Sequence, residues 1–147
     1  MKKTHVMLHH SLTADSATVS WGAIRRYHVE TNGWAEIGYH LGCEKVGEHY
    51  EMMLGRAFDR DGAHCKEGGM NKVALGVCFV GNFDLAPPPA GMLHFAAGHL
   101  RRIMADLGIP ADDDHVVMHR QFATYKSCPG DHFPFAAFLN LLATTEA

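Results

Sequence analysis

The chain has 147 residues, of which 47% are hydrophobic and 20% are charged, and its formal net charge is -3. These proportions are typical of a folded globular protein and exclude a low-complexity chain. The negative balance argues against binding nucleic acid by neutralising its phosphates, so we expect no nucleic-acid partner. The length fits one compact unit, and we expect a single domain over residues 1–147.

The first residues do not have the pattern of a signal peptide. The apolar run after Lys3 covers only residues 6–8 before His9 and His10 interrupt it. No stretch approaches the ~20 apolar residues needed to span a bilayer. We therefore expect synthesis in the cytoplasm without a signal peptide, and no membrane insertion.

The cysteine spacing points away from a zinc ribbon or a redox dithiol. The four cysteines at 43, 65, 78 and 128 form no Cys-x-x-Cys pair. A cytoplasmic origin favours reduced thiols. Cys43 and Cys78 lie in apolar runs, which predicts that both are buried.

Strands and helices are predicted from apolar periodicity and from turn and cap signals. The first half of the chain is predicted to contain a strand at 5–8, a helix from Thr18 or Ser20 to about Glu30, and strands at 37–43 and 50–54 joined by a turn at 44–48. A surface loop is predicted at 55–71. The second half is predicted to contain a strand at 73–80, a helix at 92–107, a strand at 115–118 and a helix at 133–142. A loop as long as 55–71 is often functional.

Two of these segments define the expected architecture. Residues 73–80 are continuously apolar, which is typical of a central strand buried on both faces. Apolar residues at three- and four-residue spacing over 92–107 indicate an amphipathic helix ended by Gly108, with His99 on its apolar stripe and expected in the core. The order predicts an α/β single domain with a central mixed β-sheet flanked by helices.

Several separate motifs occur in one order along residues 5–135. They are LHHSLT at 8–13, GWAEIGYH at 33–40, GAH at 62–64, Asn71, LGVCFVGNF at 75–83, and the segment from His119 to Cys128-Pro129-Gly130. Together they strongly resemble the type-2 N-acetylmuramoyl-L-alanine amidases, which share a fold with peptidoglycan recognition proteins. The resemblance implies that fold and a zinc amidase catalytic domain.

The resemblance places three metal ligands on this chain: His9, His119 and Cys128. His10 is the alternative to His9, but neighbouring strand residues point to opposite faces, so only one of them should reach the metal. A Cys with two His favours Zn2+ over magnesium or calcium. Three protein ligands leave a fourth position for water or substrate, which is typical of a catalytic rather than a structural zinc site.

The resemblance also implies catalytic roles for Tyr39 and Lys126, which can steady an oxyanion, position water or handle its proton. Some phage members carry a Glu general base at the position of Cys78. A buried thiol is a poor base, so proton transfer is left to Tyr39, Lys126 or the water at the metal.

Three further residues map onto positions that border the substrate groove in relatives: Arg56, His64 and Asn71. Each could instead hold the 55–71 loop in place. His40 follows Tyr39, should face the other way and is expected to be structural.

The expected reaction is zinc-dependent hydrolysis of the amide between N-acetylmuramic acid and L-alanine, with peptidoglycan or a muropeptide as partner. We expect a phage or prophage endolysin that acts on the wall when a holin-type pore releases it. The alternatives are a cytosolic muropeptide-recycling amidase and a non-catalytic peptidoglycan-recognition module. Some phage relatives also inhibit a host RNA polymerase by protein contact, and nothing in the sequence tests such contact here.

Overall fold

A computed structural model describes residues 2–12 and 20–144 of the chain. Five strands form one sheet in the order β3-β2-β4-β1-β5. They are β1 His5–His10, β2 Leu41–Val46, β3 His49–Leu54, β4 Ala74–Phe79 and β5 Val116–Met118. β4 runs parallel to β1 and β2, β1 runs parallel to β5, and β2 and β3 are antiparallel. The predicted α/β fold with a central mixed sheet is confirmed.

In the part of the chain that the structure describes, four α-helices pack around this sheet. They are α1 Trp21–Arg26, α2 Met70–Val73, α3 Ala90–Leu107 and α4 Phe135–Ala143. α1 begins after Ser20, whose side chain accepts a hydrogen bond from Ala23 N at 3.4 Å. Thr18, the other predicted cap, lies outside the described residues. Over residues 2–12 and 20–144, no helix is both long enough and apolar enough to cross a membrane.

The two faces of the sheet carry different parts of the core. Every residue of β4 is buried, as its apolar run predicts. Leu75, Val77 and Phe79 pack with apolar residues of α3 and α4 on one face. Cys78 packs with Trp21 on the opposite face. Alternation along a strand therefore assigns neighbouring side chains to separate layers.

Several predictions differ from the structure. Residues 37–40 are not a strand: His40 N donates to Gly76 O of β4 at 2.9 Å, but Gly38 O accepts from Ala63 N at 2.9 Å in a neighbouring loop. A Cβ at Gly38 would lie 2.3 Å from Ala63 O, so this close approach requires glycine. α4 begins at Phe135 rather than at 133, because Pro134 disfavours helical backbone at the residue that precedes it. His99 is exposed on α3 rather than buried.

The segment after β3 is less of a surface loop than predicted. His64 and Cys65 are buried, a short turn occupies Glu67–Gly69, and α2 follows at Met70. His40 supports this segment through hydrogen bonds to the backbone, which agrees with the structural role expected for it. Its Nδ1 accepts from Gly76 N at 3.0 Å, and its Nε2 donates to Arg60 O at 2.8 Å.

This buried histidine predicts a defined acid sensitivity. Burial lowers the pKa of His40 to about 4 from its usual 6.5. The unfolded chain therefore binds more protons than the folded one in this range, and the stability due to His40 is complete above pH 6.5 and is lost as pH falls towards 4. Between pH 7 and pH 4.5 this loss is on the order of 2 to 3 kcal/mol.

We expect His40→Asn, which keeps an acceptor for Gly76 N but does not titrate, to lose less stability on acidification than the wild type. The measurement is the free energy of unfolding in urea at both pH values. An equal fall in the two proteins would show that His40 does not carry the effect.

Candidate active site

The candidate site lies at the carboxyl ends of the parallel strands, where ligands usually bind in open α/β sheets. His9 is near the end of β1, and His119 directly follows β5. Cys128 comes from the loop between β5 and α4. The strand ends of β1 and β5 are neighbours in the sheet, so the fold brings His9 and His119 together.

The three residues converge closely enough to share a metal ion. One ligand atom from each of His9, His119 and Cys128 lies within 4.8 Å of the other two. Cys128 Sγ is 3.6 Å from His9 Nδ1, and the imidazoles of His9 and His119 have centroids 4.5 Å apart. All three side chains are buried, with exposed fractions of 1% for His9, 7% for His119 and 9% for Cys128.

This donor set fits a zinc ion. Zinc bonds of about 2.0 Å to nitrogen and about 2.3 Å to sulfur at tetrahedral angles place those atoms about 3.5 Å apart. The His9 Nδ1 to Cys128 Sγ distance is 3.6 Å, close to this value. Burial lowers the pKa of His119 to about 4 and that of His9 well below its usual value, so both imidazoles are neutral at pH 7 and can act as ligands.

A second group at this end of the sheet also meets the distance requirement for a metal. It consists of Cys65, Glu67 and His119. It shares His119 with the first group, and Glu67 Oε1 already accepts a hydrogen bond from Tyr125 at 2.8 Å. Cys65 Sγ also contacts the Glu67 carboxylate at 3.6 Å. We therefore take His9, His119 and Cys128 as the candidate centre.

The side chain of His10 belongs to the other face of the sheet. Its Nδ1 accepts a hydrogen bond from Phe83 N at 3.1 Å, and Phe83 belongs to the core beneath α3 and α4. Only the backbone of His10 reaches the site, where its N–H donates to Cys128 Sγ at 3.4 Å. The alternation along β1 thus separates the two histidines as the sequence predicts.

Asp84 holds the loop that carries Cys128. Its carboxylate accepts from Ser127 Oγ at 2.8 Å and from Asp131 N at 3.0 Å, which secures both sides of Cys128. Arg120 N also donates to Cys128 O at 2.8 Å. Three hydrogen bonds therefore hold the loop on either side of the Cys128 thiol. No motif predicted this role for Asp84, because its partners are more than forty residues away.

Tyr39 and Lys126 both line the cleft that contains the three candidate ligands. The Tyr39 ring lies 5.2 Å from the His9 ring and packs beside Cys78 and Trp21. Burial raises the pKa of Tyr39 and of Cys78 well above their usual values, so each keeps its proton at neutral pH. Lys126 is exposed at the mouth, with Nζ 5.8 Å from the Tyr125 ring centroid.

The three residues expected to border a substrate groove occupy different places. Arg56 lines a separate cavity, and its guanidinium donates to the backbone oxygens of Glu36, Ile37 and Asp61. Asn71 Oδ1 accepts from the backbone N–H groups of His64 and Cys65. Only His64 lines the main cleft, where its ring contacts His9.

The cleft itself has a volume of about 560 Å3 and a mixed polar and aromatic lining. Sequence reasoning missed two of the residues in it, His28 and Trp34. His28 is half-buried, its Nδ1 accepts from Gly38 N at 3.0 Å, and its ring lies 4.7 Å from the Trp34 ring at an interplanar angle of 49°. The GWAEIGYH motif contained Trp34, but only the fold shows that the π-helical turn Tyr27–Thr31, which follows α1, brings His28 beside it.

The fold matches that of peptidoglycan recognition proteins. The structure superposes on bumblebee PGRP-SA with a TM-score of 0.73 and 29% sequence identity, covering 92% of this chain and 80% of that one. The shared architecture places this chain in the fold class that the motifs implied.

Sequence comparisons narrow the class to a family. The family model described as N-acetylmuramoyl-L-alanine amidase (Amidase_2) matches residues 1–131, and the chain belongs to this family. It is 34% identical over 122 residues to a human N-acetylmuramoyl-L-alanine amidase, covering 83% of this chain but only 19% of that protein. It is 30% identical over 127 residues to an endolysin of Klebsiella phage KP32, covering 86% of this chain and 80% of the endolysin.

Proposed function

We propose that the protein is a zinc-dependent N-acetylmuramoyl-L-alanine amidase that hydrolyses the lactyl amide between N-acetylmuramic acid and L-alanine in peptidoglycan. The observation that carries the proposal is the convergence of His9, His119 and Cys128 within 4.8 Å inside an open cleft. Family membership supplies the substrate class. All three candidate ligands line the cleft, so the cleft provides room for a fourth position.

Amides resist hydrolysis because resonance makes their carbonyl a poor electrophile, and attack creates an oxyanion that needs stabilisation. A bound Zn2+ supplies a Lewis acid that polarises the carbonyl and lowers the pKa of water towards ~7. His9, His119 and Cys128 would hold that ion. Their burial keeps bulk water away from all but the open side.

Tyr39 and Lys126 supply the remaining groups. The Tyr39 phenol keeps its proton and can donate its O–H to an oxygen that gains charge in the cleft. Lys126 projects three N–H donors at the mouth and adds positive charge beside the same oxygen. Cys78 cannot serve as a general base at neutral pH, because burial keeps its thiol protonated.

The endolysin role is the setting we propose, because the phage KP32 relative matches over most of its own length. A recognition module without hydrolysis is the second candidate, and the likeness to PGRP-SA favours it. The two differ in one property, since recognition alone does not require a metal with an open position. A muropeptide-recycling enzyme would show the same chemistry as the endolysin.

The test is digestion of purified peptidoglycan followed by mass analysis of the fragments. We expect new L-alanine amino termini without new reducing sugars, and loss of the reaction on treatment with a zinc chelator. New reducing ends would instead identify a glycosidase. Binding to peptidoglycan with no fragments in the presence of added zinc would favour the recognition module.

A further inference from the structure

We propose that His64 is a positioning residue for His9: it accepts the Nε2 proton of His9 and thereby leaves His9 Nδ1 as the nitrogen presented to the metal. This inference rests on the proposed zinc site. It assigns His64 a role in building that site rather than in binding substrate at the groove, which was the role expected from the sequence.

The His64 ring contacts the carbonyl oxygen of Ala74, which can only accept a hydrogen bond. His64 Nε2 lies 3.1 Å from Ala74 O, so this nitrogen must carry a proton. In a neutral imidazole the other nitrogen is then an acceptor. The His64 ring is only 8% exposed, and its two nitrogens face a backbone carbonyl and another imidazole, so nothing bonded to it stabilises a charged form.

The position of the proton on the His9 ring follows from its contact with His64. His64 Nδ1 lies 2.9 Å from His9 Nε2, and since His64 Nδ1 accepts, His9 Nε2 must donate. His9 Nδ1 is left with a free lone pair, and it is this atom that faces Cys128 Sγ at 3.6 Å. A chain of two hydrogen bonds from Ala74 O therefore sets both the tautomer and the ring orientation of His9.

The fold holds the His64 ring in a slot with no spare room. A Cβ at Gly62 would lie 2.4 Å from His64 Cδ2, and one at Gly76 would lie 2.5 Å from the same atom. Gly76 is in β4, the strand that also supplies Ala74 O. β4 thus provides one wall of the slot and also Ala74 O, the first acceptor in the series of hydrogen bonds.

Asn71 fixes the same ring from its backbone side. Its Oδ1 accepts from His64 N at 2.7 Å and from Cys65 N at 2.8 Å. This pair of bonds orients the peptide that carries His64 towards β4. Two of the three residues expected at the groove therefore act on His9, one directly and one through the backbone.

The first test needs no substitution. In the zinc-loaded wild type, nitrogen-15 NMR of the histidine rings is expected to show His9 bound to metal through Nδ1 and protonated at Nε2, with His64 protonated at Nε2 alone. Metal bound through His9 Nε2, or a proton on His64 Nδ1, would overturn the proposal.

The second test measures zinc affinity by competition with a chromophoric chelator. His64→Leu removes the acceptor and is expected to weaken zinc binding by about 10- to 100-fold. His64→Asn places an oxygen near the position of Nδ1, so its affinity is expected to stay within about threefold of the wild type. His99→Leu is the control, because His99 lies on α3 and does not line the cleft, and its zinc affinity should not change.

The outcomes separate the inference from the proposed function. If the wild type binds no zinc, the proposed function fails together with the inference. If the wild type binds zinc and His64→Leu binds it equally well, only the positioning role is wrong. A raised KM for peptidoglycan fragments with unchanged zinc affinity would return His64 to the substrate groove.

Discussion

Cys128→Ala is expected to lose stoichiometric zinc and, with it, peptidoglycan hydrolysis. Removing the thiolate leaves two imidazoles, which hold the ion far less tightly at neutral pH. A catalytic metal contributes several kcal/mol of transition-state stabilisation, so the rate should fall by about 10^3-fold or more. Zinc content is measured by atomic absorption, and the rate by release of L-alanine amino termini.

Cys43→Ala is the control for this experiment. Cys43 is also a free, buried thiol, but it lies in the core between the sheet and α3, away from the cleft. We expect this variant to keep its zinc and its activity while losing some stability to the small cavity. Full hydrolysis by a zinc-free Cys128→Ala protein would refute the metal-dependent mechanism.

Tyr39→Phe and Lys126→Met should have the opposite signature, with zinc retained and turnover lost. Neither residue belongs to the group of three candidate ligands. Removing one donor to a developing oxyanion typically costs about 10^2- to 10^3-fold in kcat. The measurement combines zinc content with kcat and KM on a soluble muropeptide.

Tyr50→Phe and Lys45→Met make a matched pair of controls, because these residues face each other on the β2–β3 hairpin and line a different cavity. Both should behave as the wild type does. If Tyr39→Phe and Lys126→Met also turn over at the wild-type rate, their catalytic assignment is wrong, although the metal site would stand.

The architecture was predictable where local pattern and burial agree. The apolar run at β4 predicted a buried central strand, and the alternation of residues along β1 predicted that the side chains of His9 and His10 point to opposite faces of the sheet. The pattern failed at residues 37–40, where a close approach to Ala63 replaces strand pairing. The apolar pattern also failed to predict that His99 is exposed, because an apolar stripe does not define how much of a helix surface other elements cover.

The site was less accessible to sequence reasoning because its members are distant along the chain. His9 and Cys128 are 119 positions apart, and only the resemblance to a family related them. Whether Arg56, His64 and Asn71 face substrate or support the loop depends on which backbone groups lie beside them. No local pattern contains that information, since those partners come from other strands and loops.

The candidate ligands lie on β1, at the end of β5 and in the loop that follows β5. β5 has only three residues and pairs with β1 alone, at the edge of the sheet. An ion shared by His9, His119 and Cys128 would tie this short edge strand and its following loop to the interior strand β1. It would act as a reversible cross-link closing a loop of more than one hundred residues, of the kind that a disulfide provides in other proteins.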